Sequence, residues 1–263
     1  MQKMKLRREK KRKSRRQKKK KLVEIWIEPF PSADCWYSFG DREKKTPLYD
    51  NYVVSICDDH SIYPTVATGY HSDAIIADWV AEIQRIFHGH RFFLLVGVRL
   101  DRQHNKLSSS SFNRQPQHKK KDPDDRPYTV LTLCVGSHCI VIFIGPEDEK
   151  LPKPFRYFMQ NPGVFFVGVD MEKKRRKLAK DRGFLLPQVL DLLPYAKKSL
   201  GKKISPGGMH NVAEEVLGEK YGVEKPEMVR VSNYEYGDLT KEQVKYACIE
   251  AFLAFEVGKK VLA

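Results

Sequence analysis

The run Phe92-Phe93-Leu94-Leu95-Val96-Gly97-Val98-Arg99-Leu100-Asp101 holds seven apolar residues and a glycine in ten places, between His90-Arg91 and the polar Arg102-Gln103-His104-Asn105. Apolar on both alternating faces, it reads as a strand buried on both sides in the middle of a sheet. The end of such a strand is where an α/β protein places reactive side chains, because the walls are rigid and the following loop opens a crevice. Here that end carries Arg99 and Asp101. Residues two apart on a strand share a face, so the cation and the carboxylate look into one space.

Working outward, Tyr52–Cys57 is a short β-type run, Asp58–Ser61 reads as its turn and Ile62–Tyr70 as the return strand of a hairpin. Ser72 or Asp73 can cap a helix whose apolar residues from Ile75 to Phe87 recur at three and four. The following His88-Gly89-His90 admits a metal reading, but a helix C-cap with polar neighbours accounts for it. Beyond the central strand, residues 105–126 are rich in Ser, Pro, Lys and Asp and read as a mobile surface loop. Tyr128–Cys134 and His138–Ile144 then form a tight hairpin in which Cys134 faces Cys139. A strand at Val164–Val169 follows, then helices at Met171–Lys180, Leu190–Leu200 and Met209–Leu217 and a last long helix. In that helix Thr240 with Gln243 makes a capping box, and Val244, Cys248, Ala251, Phe252 and Phe255 make the buried stripe. Strands come early and helices late, which predicts an α/β protein with a mixed sheet covered by helices.

The chain of 263 residues carries a formal charge of +15, but residues 1–21 hold fourteen Lys and Arg against Glu9 and so supply +13 of it. The densest part comprises Arg7, Arg8, Lys10, Lys11, Arg12, Lys13, Arg15, Arg16, Lys18, Lys19, Lys20 and Lys21. Such repulsion with almost no apolar surface predicts a disordered tail, either a nuclear localisation signal, an arm for nucleic-acid phosphates or a plain solubilising segment. Residues 22–51 show no reliable period and read as an irregular extension, leaving 52–263 as the folded domain. No stretch approaches the roughly 20 apolar residues of a membrane span, and the N-terminus shows no apolar signal core. Five scattered cysteines without CxxC spacing point to a reducing compartment, where Cys134 and Cys139 are free thiols rather than a disulfide.

One feature lies beyond periodicity. Phe166-Val167-Gly168-Val169, Lys177-Leu178, Asp181-Arg182-Gly183, Asp191-Leu192, Gly208, Val216-Leu217-Gly218, Ser232-Asn233-Tyr234 and Leu239-Thr240-x-x-Gln243-x-x-Tyr246-Ala247 occur in order. With the hairpin Leu131–Gly136, this series resembles the Werner-like DEDDy 3′-5′ exonucleases, particularly their plant branch, from about Tyr52 to Ala263. The resemblance implies an RNase H-like, DnaQ-type fold and, in active members, stepwise removal of nucleotides from a 3′ end. That chemistry uses two Mg²⁺ or Mn²⁺ ions about 4 Å apart, held by several carboxylates. The family supplies Asp-x-Glu on its first strand, an Asp in the helix after the Val-Gly strand, and an Asp four residues after a Tyr in the last helix.

Carried over, the pattern keeps Tyr246 as the catalytic-position tyrosine and leaves Asp101 and Glu250 as remnants of the metal site. Arg99 and Lys174 stand where two acids belong; Asp170 and Glu172 are the acids nearest to Lys174 in sequence. The four positions change from −4 in the family to zero here. Near a protein surface each unit pair at about 4 Å is worth about 4 kcal/mol, so losing two attractions and adding repulsions opposes a two-metal site. Arg99 and Lys174 then either pair with Asp101 and Glu250 or bind phosphate in the metals' place. The expectation is a nuclear, nucleic-acid-binding exonuclease-like protein with catalysis lost or strongly impaired and no cofactor. The alternatives are an active Mg²⁺- or Mn²⁺-dependent exonuclease with a rearranged site, and a protein-interaction scaffold; DNA and RNA, nucleus and cytoplasm stay open.

Overall fold

The structure, a computed structural model, describes residues 25–29, 50–57, 60–67, 72–87, 93–102, 126–144, 151–201, 203–205, 207–230, 232, 234 and 239–262. Its strands are β1 (Ile25–Pro29), β2 (Asp50–Ile56), β3 (His60–Ala67), β4 (Leu94–Arg102), β5 (Tyr128–Val135), β6 (His138–Phe143), β7 (Val164–Gly168) and β8 (Val189–Asp191). They join in the order β1-β2-β3-β6-β5-β4-β7-β8. The pairs β3–β6, β4–β7 and β7–β8 are parallel and the others antiparallel, so the sheet is mixed as expected. All strands except β2 and β5 point the same way, which collects the carboxyl ends of β3, β4, β6, β7 and β8 at one pole. β4 is interior, flanked by β5 and β7.

The helices are α1 (Ser72–Phe87), α2 (Lys153–Gln160), α3 (Met171–Arg182), α4 (Leu192–Leu200), α5 (Met209–Leu217), the short α6 (Glu227–Arg230) and α7 (Lys241–Leu262), with a 3-10 turn at Glu219–Tyr221. α7 lies across one face, touching β2 through β7 apart from their loops, with α4 and α5 outside it. Sandwiched in this way, it buries more than a stripe: Ile249, Leu253, Ala254 and Val257 are as inaccessible as the predicted Val244, Cys248, Ala251, Phe252 and Phe255. On the other face α1 packs on α2, where Trp79 meets Phe158 edge-on at 6.0 Å and Phe158 meets Phe166 of β7 at 6.4 Å. Among the described residues no helix is long and apolar enough to cross a membrane.

The predicted capping box forms in both directions: Gln243 N–H donates to Thr240 Oγ1 at 3.2 Å, and Thr240 N–H donates to Gln243 Oε1 at 2.8 Å. Cys134 and Cys139 are register partners across the β5–β6 hairpin, and both are buried free thiols. Burial pushes both thiols up in pKa, which keeps them protonated and unreactive.

Four expectations are corrected. β1 occupies part of the stretch read as irregular, pairing Ile25–Pro29 with Ile56–Tyr52. His60 and Ser61 belong to β3 rather than to a turn, because Cys57 at φ 57° reverses the chain early and lets His60 pair with Ile56. Leu190 and Asp191 lie in β8 rather than in a helix; extended Asp191 caps α4, its Oδ1 accepting from Leu193 N–H at 3.2 Å. α2 follows Pro152, in a stretch with no helix expected. The basic tail, residues 105–125 of the expected loop and His88-Gly89-His90 lie outside the described residues.

Candidate functional site

The site is set by how closely α7 crosses β4. A Cβ added at Gly97 would lie 2.0 Å from the Ala251 carbonyl oxygen and 2.7 Å from the Phe255 nitrogen, so only glycine admits the helix backbone there. One layer down, a Cβ added at Gly258 would lie 2.8 Å from the Leu95 Cδ2 methyl and 3.1 Å from the Val167 Cγ2 methyl, a tight side-chain contact. With the helix held at Gly97, the next residue on that face of β4, Arg99, meets Glu250 of α7. Alternation then puts Asp101 beside Arg99, as the sequence predicts.

Arg99 is the hub. Its Nη2 donates to Asp101 Oδ1 at 2.7 Å and its Nε to both Asp101 oxygens at 3.2 Å, while Nη1 donates to Glu250 Oε2. A second cation completes the cluster: Lys225 Nζ donates to Asp101 Oδ1 at 3.1 Å and stands 4.8 Å from the centroid of the Tyr234 ring. Asp101 and Lys225 are 5% and 7% exposed, Glu250 13% and Arg99 27%, so the cluster is walled by protein and open on the Arg99 side. Burial alone would raise the Asp101 pKa, but the charges of Arg99 and Lys225 outweigh it and hold the carboxyl well below its usual range. For Arg99 burial opposes the charge, and Asp101 and Glu250 overcome it and lock the guanidinium charged.

Lys174 comes to the same place by a different route. It lies on α3, one turn after Asp170, whose left-handed conformation (φ 56°) turns the chain from β7 into the helix and whose carbonyl accepts the Lys174 N–H at 3.0 Å. A cleft of about 370 Å³ opens here, lined by Arg99, Asp170, Lys174, Gly208, Met209 and Glu250 among others. Lys174 reaches this cleft but joins no ion pair among the described residues. Burial, reinforced by Arg99, lowers its pKa to about 8 against the pull of Glu250, Asp101 and Asp170. Asp101, Glu250, Arg99 and Lys225 cancel in formal charge, and the cleft adds the Lys174 ammonium and the exposed Asp170 carboxylate.

Tyr246 sits one turn before Glu250, half-buried, with the Lys245 ammonium 5.5 Å from its ring centroid. Burial raises its pKa, and Glu242 is the charge acting on it rather than the Arg99 cluster. Tyr234 is the tyrosine at the cluster: burial and then the Asp101 charge raise its pKa. Sequence reasoning quoted Tyr234 without giving it a role, and missed Lys225 altogether. Gly222-Val223-Glu224-Lys225-Pro226 has no period or motif, and the Lys225–Asp101 contact spans 124 positions.

A two-metal centre does not fit these residues. Both oxygens of Asp101 and one of Glu250 already accept from a cation, and hard divalent ions need several free oxygen ligands. Among the described residues no group of three or more His, Cys, Asp and Glu is placed to hold a metal ion. A larger cavity of about 600 Å³ lies at the amino end of β4, lined by Phe87, Phe93, Phe252 and Phe255 among others and by none of the residues of the Arg99 cluster.

No family model matches the chain. A 3′-5′ exonuclease of Arabidopsis thaliana is 25% identical over 130 residues, 49% of this chain and 43% of that protein. The bifunctional 3′-5′ exonuclease/ATP-dependent helicase WRN of Mus musculus is 24% identical over 132 residues, 50% of this chain and 9% of that protein. The matches thus span less than half the length of either relative. Among solved structures, RNase D of Escherichia coli, an exoribonuclease involved in structured RNA processing, superposes with a TM-score of 0.51 at 14% identity, covering 75% of this chain and 44% of that one. At that identity the likeness is one of fold, the RNase H-like architecture that the resemblance implies.

Proposed function

Starting from a chain related to the Werner-like 3′-5′ exonucleases, we propose that it is an exonuclease-like domain that binds nucleic acid without two-metal hydrolysis, acting in the nucleus. One observation carries this reading: the Arg99 guanidinium lies between Asp101 and Glu250 and consumes the oxygens that a metal would need. Hydrolysis of a phosphodiester by this route depends on cations that activate water and stabilise the leaving oxygen. In this cleft the fixed positive charges are side chains, which can attract phosphate but cannot generate a metal-bound nucleophile. The basic run at residues 1–21 supports both nuclear import and additional contact with phosphates.

The test uses 5′-labelled single-stranded and recessed duplex DNA and RNA with Mg²⁺ or Mn²⁺. The expected result is a gel shift without a ladder of shortened products. Laddering by the wild-type chain that disappears in Glu250→Ala overturns the proposal in favour of an active, rearranged site. Replacing Arg99→Asp, Asp101→Glu, Lys174→Asp and Glu250→Asp together is expected to create cation-dependent binding, because it returns four acids to one cleft.

A further inference from the structure

We propose that the cleft between β4, α3 and the start of α5 is a metal-independent pocket for the phosphate of a single nucleotide, held by Lys174 and the free N–H groups of Arg99. This deepens the nucleic-acid-binding reading and rests on it. The donors come from three elements and converge on one space. Arg99 uses Nε, one Nη1 and one Nη2 hydrogen on its two carboxylates, which leaves two of its five N–H donors for the cleft side, where 27% of the side chain is exposed. The Lys174 ammonium joins no ion pair among the described residues, so its donors are uncommitted. Gly208 is the N-cap of α5 and offers no side chain to that helix's first amides, so its amino end borders the cleft uncapped.

Charge favours an anion there. The carboxylates of Asp101 and Glu250 are matched by Arg99 and Lys225, and Asp170 is exposed, so water screens its carboxylate. The half-buried Lys174 makes no direct ion pair among the described residues, and a phosphate supplies one with charge-assisted hydrogen bonds. A cleft of about 370 Å³ lies at the small end of ligand sites and suits one nucleotide rather than a duplex. That nucleotide is either a free nucleoside monophosphate or the terminal residue of a chain; both present the same phosphate.

The test is calorimetry on the full chain in EDTA and again with Mg²⁺, with AMP, adenosine, inorganic phosphate and a terminally phosphorylated dinucleotide as probes. AMP is expected to bind about tenfold or more tighter than adenosine, equally with and without Mg²⁺, as two charge-assisted contacts require. Lys174→Gln is expected to lose most of that preference, Lys174→Arg to keep it, and Lys245→Gln, whose cation pairs with Glu242, to leave it unchanged. Tighter binding of the dinucleotide than of AMP assigns the pocket to a chain end, and the reverse order to a free mononucleotide. Equal binding of AMP and adenosine, a requirement for Mg²⁺, or an unchanged preference in folded Lys174→Gln overturns the pocket. Oligonucleotide gel shifts in the same buffer separate the two proposals: oligonucleotides that bind while no phosphate probe does sink the pocket alone, and failure of both sinks the nucleic-acid reading as well.

Discussion

A guanidinium with carboxylates on two sides and a lysine beside one of them makes a neutral internal cluster, and the cost falls on whichever partner is removed. Asp101→Asn would take the carboxylate from Lys225 and leave Glu250 as the acid paired with Arg99. The expected loss is about 3 kcal/mol of unfolding free energy, the low end for breaking a buried pair because Arg99 keeps some water. Denaturant titration of the two proteins measures it. The Asp101 pKa is depressed, so this stabilisation is present above the unfolded value near 4 and disappears as the pH falls below it; the gap between wild type and Asp101→Asn should close there. Lys174 has the opposite sign. Its pKa of about 8 lies below that of a free lysine, so the charged form opposes folding up to about pH 8, and the penalty fades as the pH rises toward about 10.5. Lys174→Met is expected to be more stable than wild type at pH 7, on the order of 2 kcal/mol after screening by the open cleft, with the difference vanishing by pH 10.5. Sequence alternation alone put Arg99 and Asp101 in one space, and the resemblance to the exonucleases brought in Glu250. Lys225 stayed hidden because an aperiodic loop shows nothing of what its side chain reaches.

At the level of elements, the long and strongly patterned ones are where the sequence reading and the structure agree. β4, the β5–β6 hairpin, α1, α5 and α7 carry apolar repeats or explicit end signals, such as the Thr240–Gln243 box. The three-residue β8 and the eight-residue α2 are too short for a period to emerge, and their existence depends on tertiary partners: β8 on the parallel ladder to β7, α2 on Trp79. Gly97 looked like an ordinary strand glycine, yet it fixes the separation of β4 and α7. Because the atoms that meet its Cβ belong to helix backbone, Gly97→Ala cannot be relieved by a rotamer change. It is expected to cost 3 kcal/mol or more, at or beyond the upper end of the roughly 1–3 kcal/mol for overpacking, and to separate Glu250 from Arg99. A lowered melting temperature, with binding of AMP altered even in the fraction that stays folded, would show both effects.

Over the whole molecule, the sheet's polarity sets the cleft and the start of β1 at opposite poles. The cleft opens where β4 and β7 end, while β1 begins at Ile25 opposite Ile56, at the other pole, and the basic run precedes it in sequence. Removing residues 1–21 takes away +13 and is expected to weaken binding of long oligonucleotides and flatten its salt dependence, while leaving the affinity for AMP within about twofold. Titrations at two salt concentrations with and without those residues check this. The mixed sheet and its helical layers were within reach of the sequence because strand and helix patterns alternate in a restricted set of ways. The pairing of β3 with β6, between strands far apart in the chain, follows only from the folded ladder.

The four-membered cluster of Glu250, Arg99, Asp101 and Lys225 also restricts how such a protein can change over generations. Substituting an acid for Arg99 alone would crowd three carboxylates beside Lys225 and Lys174, and removing Lys225 alone would leave Asp101 with Arg99 as its one cation partner in the cluster. A cluster of this kind therefore changes with least cost when two of its members change together, because each single replacement leaves a buried charge unmatched.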